Sequence, residues 1–375
     1  MNLKPGPWMK DALEVVMAWQ LRNPDTTDPA QAIEEVKKIR KGELTSRLLS
    51  RFLSLTIRPL FVQTEQDAFT TSDKSKSKSK MKTWRDPENA YVVDLLRWCL
   101  QTATEADVKR EFHLLRVPIL QMLDSTELKW KAHACTFISL FVQAAPRDLI
   151  MNQGYRKLFA DDLFQLFTYL PTLTPEPDAV LVFDHVFPAL LTLSLLEEKT
   201  DEAMLDRIIR EGVLAPFFHL TSPSTYPALT TTILSHLPAI LSTLSLSSVT
   251  HLPTLLPAIL PILRDHFVPA SPDLLVATAK ALQSIIINAW PRLDTARLMD
   301  ISTAICEAWI ACIEYEDNKA VQEGKQELKM TMDLVDRRVG SLGDEAGKVW
   351  VKEKKRLVEE RSIFAGLFEG VEKRA

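Results

Sequence analysis

Residues 169–196 read YLPTLTPEPDAVLVFDHVFPALLTLSLL and place three prolines within seven positions between two apolar stretches. A proline inside a helix removes one hydrogen bond and kinks the axis, whereas in the first turn its missing N–H costs nothing. The stretch therefore predicts a firm stop followed by a new helix. We interpret it as a corner between two neighbouring helical hairpins.

The residues on either side of the stop predict how the corner is built. Leu170 is expected to end an apolar helix, and residues 172–174 to form the turn. Pro175 and Pro177 then fall near the first turn of the next helix, where Thr174 is expected to provide the cap. Glu176 and Asp178 follow at the positive end of that helix dipole.

Helical spacing extends from this corner to both ends of the chain. Apolar residues recur at steps of three and four in YVVDLLRWCL (91–100), DLLVATAKALQSIIINAW (273–290) and RLMDISTAICEAWIACIEY (297–315). Asn-Gly and Asp-Gly hairpin turns are absent from the sequence, and no series of short alternating strands is present. The pattern predicts an all-α protein.

The breaks between helices are short and regularly spaced. They imply helix pairs of roughly 35 to 47 residues, the period of HEAT-like repeats. A similar phrase also recurs as VPILQML at 117, FPALLTL at 187 and LPAIL at 237 and 256. A leucine-rich helical chain contains some such phrases by chance, but the spacing of the breaks supports the repeat independently. We predict an α-α superhelix, or solenoid, of irregular HEAT-like helical hairpins.

Composition shifts suggest four segments along this solenoid. We predict an N-terminal helical segment (1–69), a flexible Lys/Ser-rich loop (70–88), HEAT-like repeats (89–315) and charged C-terminal helices that cap the solenoid (316–375). Alternating lysines from Lys74 to Lys82 are consistent with a solvated loop, and a nuclear-import or phosphate-contacting patch is the alternative.

The charged C-terminal tail carries an apolar stripe with a spacing of seven residues. Such a stripe is typical of an amphipathic helix, which packs back on the last repeat as a cap or lies in the groove of a partner. Both alternatives remain open from the sequence. The candidate partner-binding residues are Trp350, Leu357, Phe364, Leu367 and Phe368.

Charge and composition argue against several function classes. The net charge of −4 gives no general attraction to nucleic acid or to an anionic membrane, so neither is an expected partner. The chain contains only 10 glycines and neither GxGxxG nor GxxxxGK[ST], the turns that bind nucleotide phosphates. The N-terminus lacks the apolar region of a signal peptide, and the four cysteines lack CxxC spacing. We therefore expect the protein to reside in a reducing compartment, either the cytoplasm alone or the cytoplasm and the nucleus, since both are reducing.

No catalytic or metal-binding motif is found in the sequence. The histidines form neither HExxH nor an i, i+4 pair, and GxSxG is absent. We therefore predict no cofactor, no metal and no enzymatic activity. An all-α hydrolase whose residues gather from distant helices remains the alternative that a deep pocket would reveal.

The order of several phrases resembles a known family. IRPLF (57–61), KTW (82–84), VPILQMLD (117–124) and MNQGYRKLFADDLFQLFTYLPTLTPE (151–176) follow one another along the chain. This succession resembles the second Telo-two-interacting protein family, a helical-repeat subunit of the Triple-T co-chaperone complex. The chain departs from the family pattern at Thr83 and Val117, where the family has proline.

The resemblance implies a scaffold that joins the first Telo-two-interacting protein and the telomere-length-regulation protein Tel-two. In that family the assembly helps the ninety-kilodalton heat-shock chaperone to mature phosphatidylinositol-three-kinase-related kinases. A karyopherin-like transport solenoid or another HEAT-repeat adaptor is the alternative, and binding of a GTP-loaded transport-switch GTPase would distinguish it.

Overall fold

The computed structural model describes residues 41–61, 83–152, 154–197, 200–220, 225–315 and 318–368. Within these ranges the regular secondary structure is helical and includes no strand, which confirms the predicted all-α class. The chain forms two compact units, residues 1–162 and 163–375. The predicted four-segment division stays a prediction.

The first unit is a group of packed helices. Its helices are α1 (Lys41–Arg51, continued by a π-helical stretch, Phe52–Ile57), α2 (Tyr91–Thr102), α3 (Glu105–Leu123), α4 (Leu128–Ala144), α5 (Arg147–Asn152) and α6 (Tyr155–Gln165, which crosses the boundary). Both α2 and α3 pack on α4, and α1 packs on α3.

Aromatic rings fill part of the core of this unit. Trp84 is fully buried, stacks on Phe61 with ring centroids 5.1 Å apart and meets the edge of Trp130 at 5.0 Å. Residues 70–82 of the predicted loop 70–88 lie outside the described residues. In residues 83–88, burial of the Trp84 indole holds the chain against the core, while the predicted loop as a whole stays a prediction.

A capping box starts helix α3. The Thr104 hydroxyl accepts a hydrogen bond from the Asp107 backbone N–H, and the Asp107 carboxylate accepts one from the Thr104 N–H. Burial raises the pKa of Asp107, but hydrogen bonds from Thr104, Ser46 and Arg110 outweigh it and leave the pKa below its ordinary value. The non-helical dihedrals within α3 lie at Glu111, seven residues before the proline of the VPILQML phrase.

The second unit continues the helical series. Its helices are α7 (Glu176–Ser194), α8 (Glu202–Arg207), α9 (Ala215–His219), α10 (Pro227–Leu244), α11 (Leu252–Arg264), α12 (Pro272–Asn288), α13 (Thr295–Ala311), α14 (Lys319–Ser341), α15 (Asp344–Glu360) and α16 (Ala365–Phe368). A π-helical stretch, Ile208–Leu214, joins α8 to α9.

These helices form two layers. In the first layer α10 packs beside α7, α12 beside α10 and α14 beside α12. In the second layer α11 packs beside α13, and each contacts a first-layer helix. Because alternate helices from α10 onward share a layer, the second unit has the arrangement of an α-solenoid built from helical hairpins, as predicted.

The corner at residues 169–176 differs in one respect from the sequence prediction. Helix α7 begins at Glu176 with Pro175 as N-cap residue and no side-chain cap, so the predicted Thr174 cap is wrong. The Glu176 carboxylate instead accepts hydrogen bonds from the backbone N–H groups of Ala228, at 3.0 Å, and Leu229, at 3.2 Å. The corner therefore caps the neighbouring helix α10.

Two segments of this unit are long and apolar enough, by length and composition, to cross a membrane. They are Glu176–Ser194 and Pro227–Arg264, and half of each hydropathy window is buried inside the protein. The second segment covers two helices, α10 and α11, and the core helix of a soluble protein passes the same test. We interpret both as core segments of the solenoid.

Candidate functional site

The predicted partner-binding stripe lies where the second unit ends. Trp350, Phe364 and Leu367 are buried inside the chain, with 5%, 4% and 2% of their surface exposed. Leu357 and Phe368 are half-buried. The structure thus brings three of the five residues into the protein interior, and whether the stripe also binds a partner stays a prediction.

Polar contacts fix α15 against α14. The Trp350 indole N–H donates to Asp336 Oδ1 at 2.6 Å, and the Lys354 ammonium donates to Asp336 Oδ2 at 2.7 Å. The carboxylate is thereby shared between a buried aromatic ring and a cation on the same helix. This arrangement satisfies the indole donor, as a buried tryptophan requires.

The last short helix covers α13. The Trp309 indole N–H donates to the backbone carbonyl of Ile363 at 3.0 Å, and the Gly366 backbone lies against the same ring. On α14, the ammonium groups of Lys325 and Lys329 lie 4.8 and 5.7 Å from the Trp309 ring centroid. Residues 362–368 therefore cover the apolar flank of the last helical pair, as terminal repeats require.

Two histidines of the second unit pair with aspartates of neighbouring helices. His236 Nε2 lies 3.2 Å from Asp184 Oδ1 between α10 and α7, and His251 Nε2 lies 2.7 Å from Asp206 Oδ1. Burial lowers the pKa of His236, although Asp184 partly offsets the effect. Neither pair includes a serine, threonine or cysteine nucleophile among the contacts of the described residues, so each reads as a link between helices.

Three of the cysteine thiols are buried, Cys306 is half-buried, and none has the lowered pKa of a reactive thiol. Burial raises the pKa of Cys306 to about 12 and that of Cys312 to about 11, and it raises the pKa values of Cys99 and Cys135 further. Reactive cysteines need the opposite shift, because the thiolate is the nucleophile. Within the described residues no group of three or more His, Cys, Asp and Glu side chains could hold a metal ion.

Two strongly exposed apolar side chains lie at helix ends, where the sequence pattern did not indicate a site. Leu173 precedes α7 and is 94% exposed, while Phe218, in α9, is 73% exposed. A hydrogen bond of 3.4 Å between Thr172 Oγ1 and His219 Nε2 places their neighbours Leu173 and Phe218 at the same corner. The 3.6-residue periodicity could not find them, because it reports the buried face of each helix and both lie where helices end.

Comparison with protein-family models decides the family to which the chain belongs. The model of the Tti2 family matches residues 13–270. The chain belongs to the Tti2 family. This confirms the resemblance noted in the sequence, and at the family level it indicates a subunit of the Triple-T complex and a scaffold type of protein.

A second comparison finds a short local similarity. A stretch of 44 residues is 61% identical to a protein of Purpureocillium lilacinum named nucleotidyltransferase lcsQ, and it covers 12% of this chain and 7% of that protein. So short a match gives little support for a shared activity in this Tti2 family member. No solved structure matches the chain.

Proposed function

We propose that the chain is a non-enzymatic scaffold subunit of the Triple-T complex that holds the first Telo-two-interacting protein and Tel-two together. Through this assembly it supports maturation and stability of phosphatidylinositol-three-kinase-related kinases by the ninety-kilodalton heat-shock chaperone. The observation that carries the proposal is the Tti2 family match over residues 13–270.

The physical character of the second unit supports an adaptor. Stacked helical hairpins offer wide, shallow surfaces that suit protein recognition, whereas small-molecule chemistry needs a deep pocket with convergent polar groups. The thiols have raised pKa values, and the histidine–aspartate pairs link helices instead of serving a nucleophile. These features favour binding over catalysis.

Reconstitution tests the proposal. The chain is co-expressed with homologues of the two partner subunits, purified through a tag on the chain, and analysed by size-exclusion chromatography with light scattering. We expect one stoichiometric ternary complex. Assembly of the other two subunits that excludes the chain would contradict the proposal, and binding of a GTP-loaded transport-switch GTPase would favour the karyopherin-like alternative.

The cellular role needs a separate measurement. Depletion of the chain is expected to lower the steady-state level of the kinases without lowering their mRNA, because unassembled kinase is degraded. Re-expression of the wild-type chain should restore the kinases. Unchanged kinase levels after depletion would contradict the maturation role while leaving the scaffold role standing.

The place of action is also proposed to be the cytoplasm, with a nuclear fraction. The maturing chaperone system meets newly made kinases in the cytoplasm, and the alternating lysines from Lys74 to Lys82 offer a nuclear-import signal. Fluorescence of a tagged chain before and after deletion of residues 72–82 checks both statements. If the full chain shows a nuclear signal and the chain lacking residues 72–82 does not, the import role is supported.

A further inference from the structure

The C-terminal ends of three neighbouring helices meet in an exposed cluster. Leu246 follows α10 and is 56% exposed, Ile287 in the last turn of α12 is 57% exposed, and Trp290 just after α12 is 50% exposed. The segment 245–251 contacts the segment 290–292. Arg338, in the last turn of α14, places its guanidinium 5.1 Å from the Trp290 ring centroid.

We propose that this surface, formed by Leu246, Ile287, Trp290, Arg292 and Arg338, binds an amphipathic helix of a partner protein that carries aliphatic residues and carboxylates on one face. This inference rests on the proposed scaffold function and names the surface through which the scaffold is held. These five residues form the end surface.

Backbone strain beside the end surface supports a functional role. Ser245 has φ 50° and ψ −127°, the one positive φ at a non-glycine residue in the described part of the chain. Strain of this kind costs of order 1–3 kcal/mol and is concentrated at binding sites. Here the strained residue directly precedes Leu246, whose side chain is left in solvent.

Unsatisfied polar atoms lie at the same place. Arg338 Nη1 donates to Ser341 Oγ at 2.7 Å, but its Nε is buried with no acceptor among the described residues. The Ser248 hydroxyl, two residues after Leu246, is likewise buried without a partner. A buried donor without an acceptor costs about 1–3 kcal/mol, so both atoms destabilise this end of the unit locally. Because both atoms are shielded from solvent, a partner's carboxylate would pair instead with the Nη groups of the half-buried Arg338 side chain.

The charge of the end surface selects the partner chemistry. Among the described residues, the carboxylates of Asp294 and Asp333 pair with other arginines, Asp294 with Arg297 at 3.0 Å and Asp333 with Arg337. Arg292 and Arg338 therefore leave a local positive charge on a chain whose net charge is −4. Tryptophan and arginine are also the residues most enriched at the centres of protein interfaces.

The apolar residues argue for protein over nucleic acid. Leu246 and Ile287 cannot stack on bases, and two arginines are few for a phosphate-binding surface, which gains its affinity from many cations. A partner helix with aliphatic residues at i and i+4 and a carboxylate beside them matches both the apolar and the cationic parts.

Binding measurements with reconstituted subunits test the proposal. The probes are the homologues of the two partner subunits, and affinities for wild type are compared with those of Ile287→Ser and Arg338→Glu. We expect each substitution to weaken binding at least tenfold, while the matched control Phe267→Ser, 71% exposed and located just before the N-terminal end of α12, changes it less than twofold. Circular dichroism melts establish that all variants are folded.

The possible outcomes separate this inference from the proposed function. If wild type binds and the end-surface variants bind equally well, the end surface is refuted and the scaffold function stands. If wild type binds neither subunit, the scaffold function and this inference both fail.

Photo-cross-linking gives a second readout that does not depend on loss of binding. A photoreactive amino acid at position 246 should cross-link in the ternary complex to a partner peptide that contains Asp or Glu and aliphatic residues at helical spacing. The same group at position 267, near the N-terminal end of α12, should give no such product. Cross-linking at position 246 only to a second copy of this chain, or to nucleic acid, would overturn the proposal.

Discussion

The carboxylate of Glu176 is expected to hold two helices of the solenoid together, and its removal is the most direct test of the corner. Replacement by alanine deletes two hydrogen bonds, to the N–H groups of Ala228 and Leu229. These groups belong to the first turn of α10, where backbone donors have no intrahelical acceptor.

The magnitude follows from the energetics of helix caps. Loss of a side-chain cap costs about 0.5–2 kcal/mol, and a charged acceptor places Glu176→Ala in the upper half of that range, about 1–2 kcal/mol. Asp178→Ala is the matched control, because both acids lie in the first turn of α7 and both interact with its dipole. The difference between the variants therefore isolates the bonds to α10.

Two assays report the effect. Thermal melting should show Glu176→Ala about 2–8 °C below Asp178→Ala, given about 2–4 °C per kcal/mol for a unit of this size. Hydrogen exchange should show faster exchange of the amides of residues 228 and 229 in Glu176→Ala alone. Equal melting temperatures together with unchanged exchange at these amides would refute the proposed role of Glu176.

Three further predictions concern packing, pH and thiol reactivity. A Cβ at Gly324 would lie 2.4 Å from Leu275 Cδ2, so Gly324→Ala should lower the free energy of unfolding by about 1–3 kcal/mol. The control Gly340→Ala, on the same helix, meets nothing within 4 Å and should raise the free energy of unfolding by up to about 1 kcal/mol. Urea unfolding measures both variants, and equal effects would contradict the close packing of α12 on α14. Because the folded-state pKa of His236 lies below its ordinary value of 6.5, the unfolded chain binds the proton more readily, and the free energy of unfolding should fall as the pH decreases below about 6.5. The variant His236→Gln should lose less stability between pH 7.5 and 5.5. An identical pH dependence in the variant would exclude His236 as a contributor. The buried thiols of Cys99, Cys135 and Cys312 should react with a disulfide reagent at pH 8 only after denaturant is added, and the half-buried Cys306 thiol should react slowly in the native chain. Rapid labelling of the three buried thiols in the native chain would contradict their burial and raised pKa values.

The sequence predicted helices and their buried faces well, for a physical reason. The apolar periodicity records burial directly, so the stretches at 91–100, 273–290 and 297–315 appear as α2, α12 and α13 within a few residues. Proline positions likewise predicted the corner, because the missing N–H of proline acts locally.

Contacts between distant residues could not be predicted in the same way. Glu176 was expected to interact with the dipole of its own helix. Its carboxylate oxygen instead accepts a hydrogen bond from Ala228 in α10, 52 residues further along the chain. The C-terminal stripe posed a similar problem, since an apolar face has the same pattern whether it packs internally or on a partner. Exposure of Leu246 and Trp290 depends on where turns place them, and periodicity carries no such information.

The cover that residues 362–368 provide for Trp309 has a consequence during translation. At roughly 5–20 residues per second, the ribosome needs about 3–12 seconds to synthesise the chain between Trp309 and the end of α16. Throughout that interval, and during passage through the exit tunnel, the apolar flank of the last helical pair is uncovered. A nascent chain that stalls after α14, or a premature stop codon there, leaves this flank open to aggregation and to quality-control proteases.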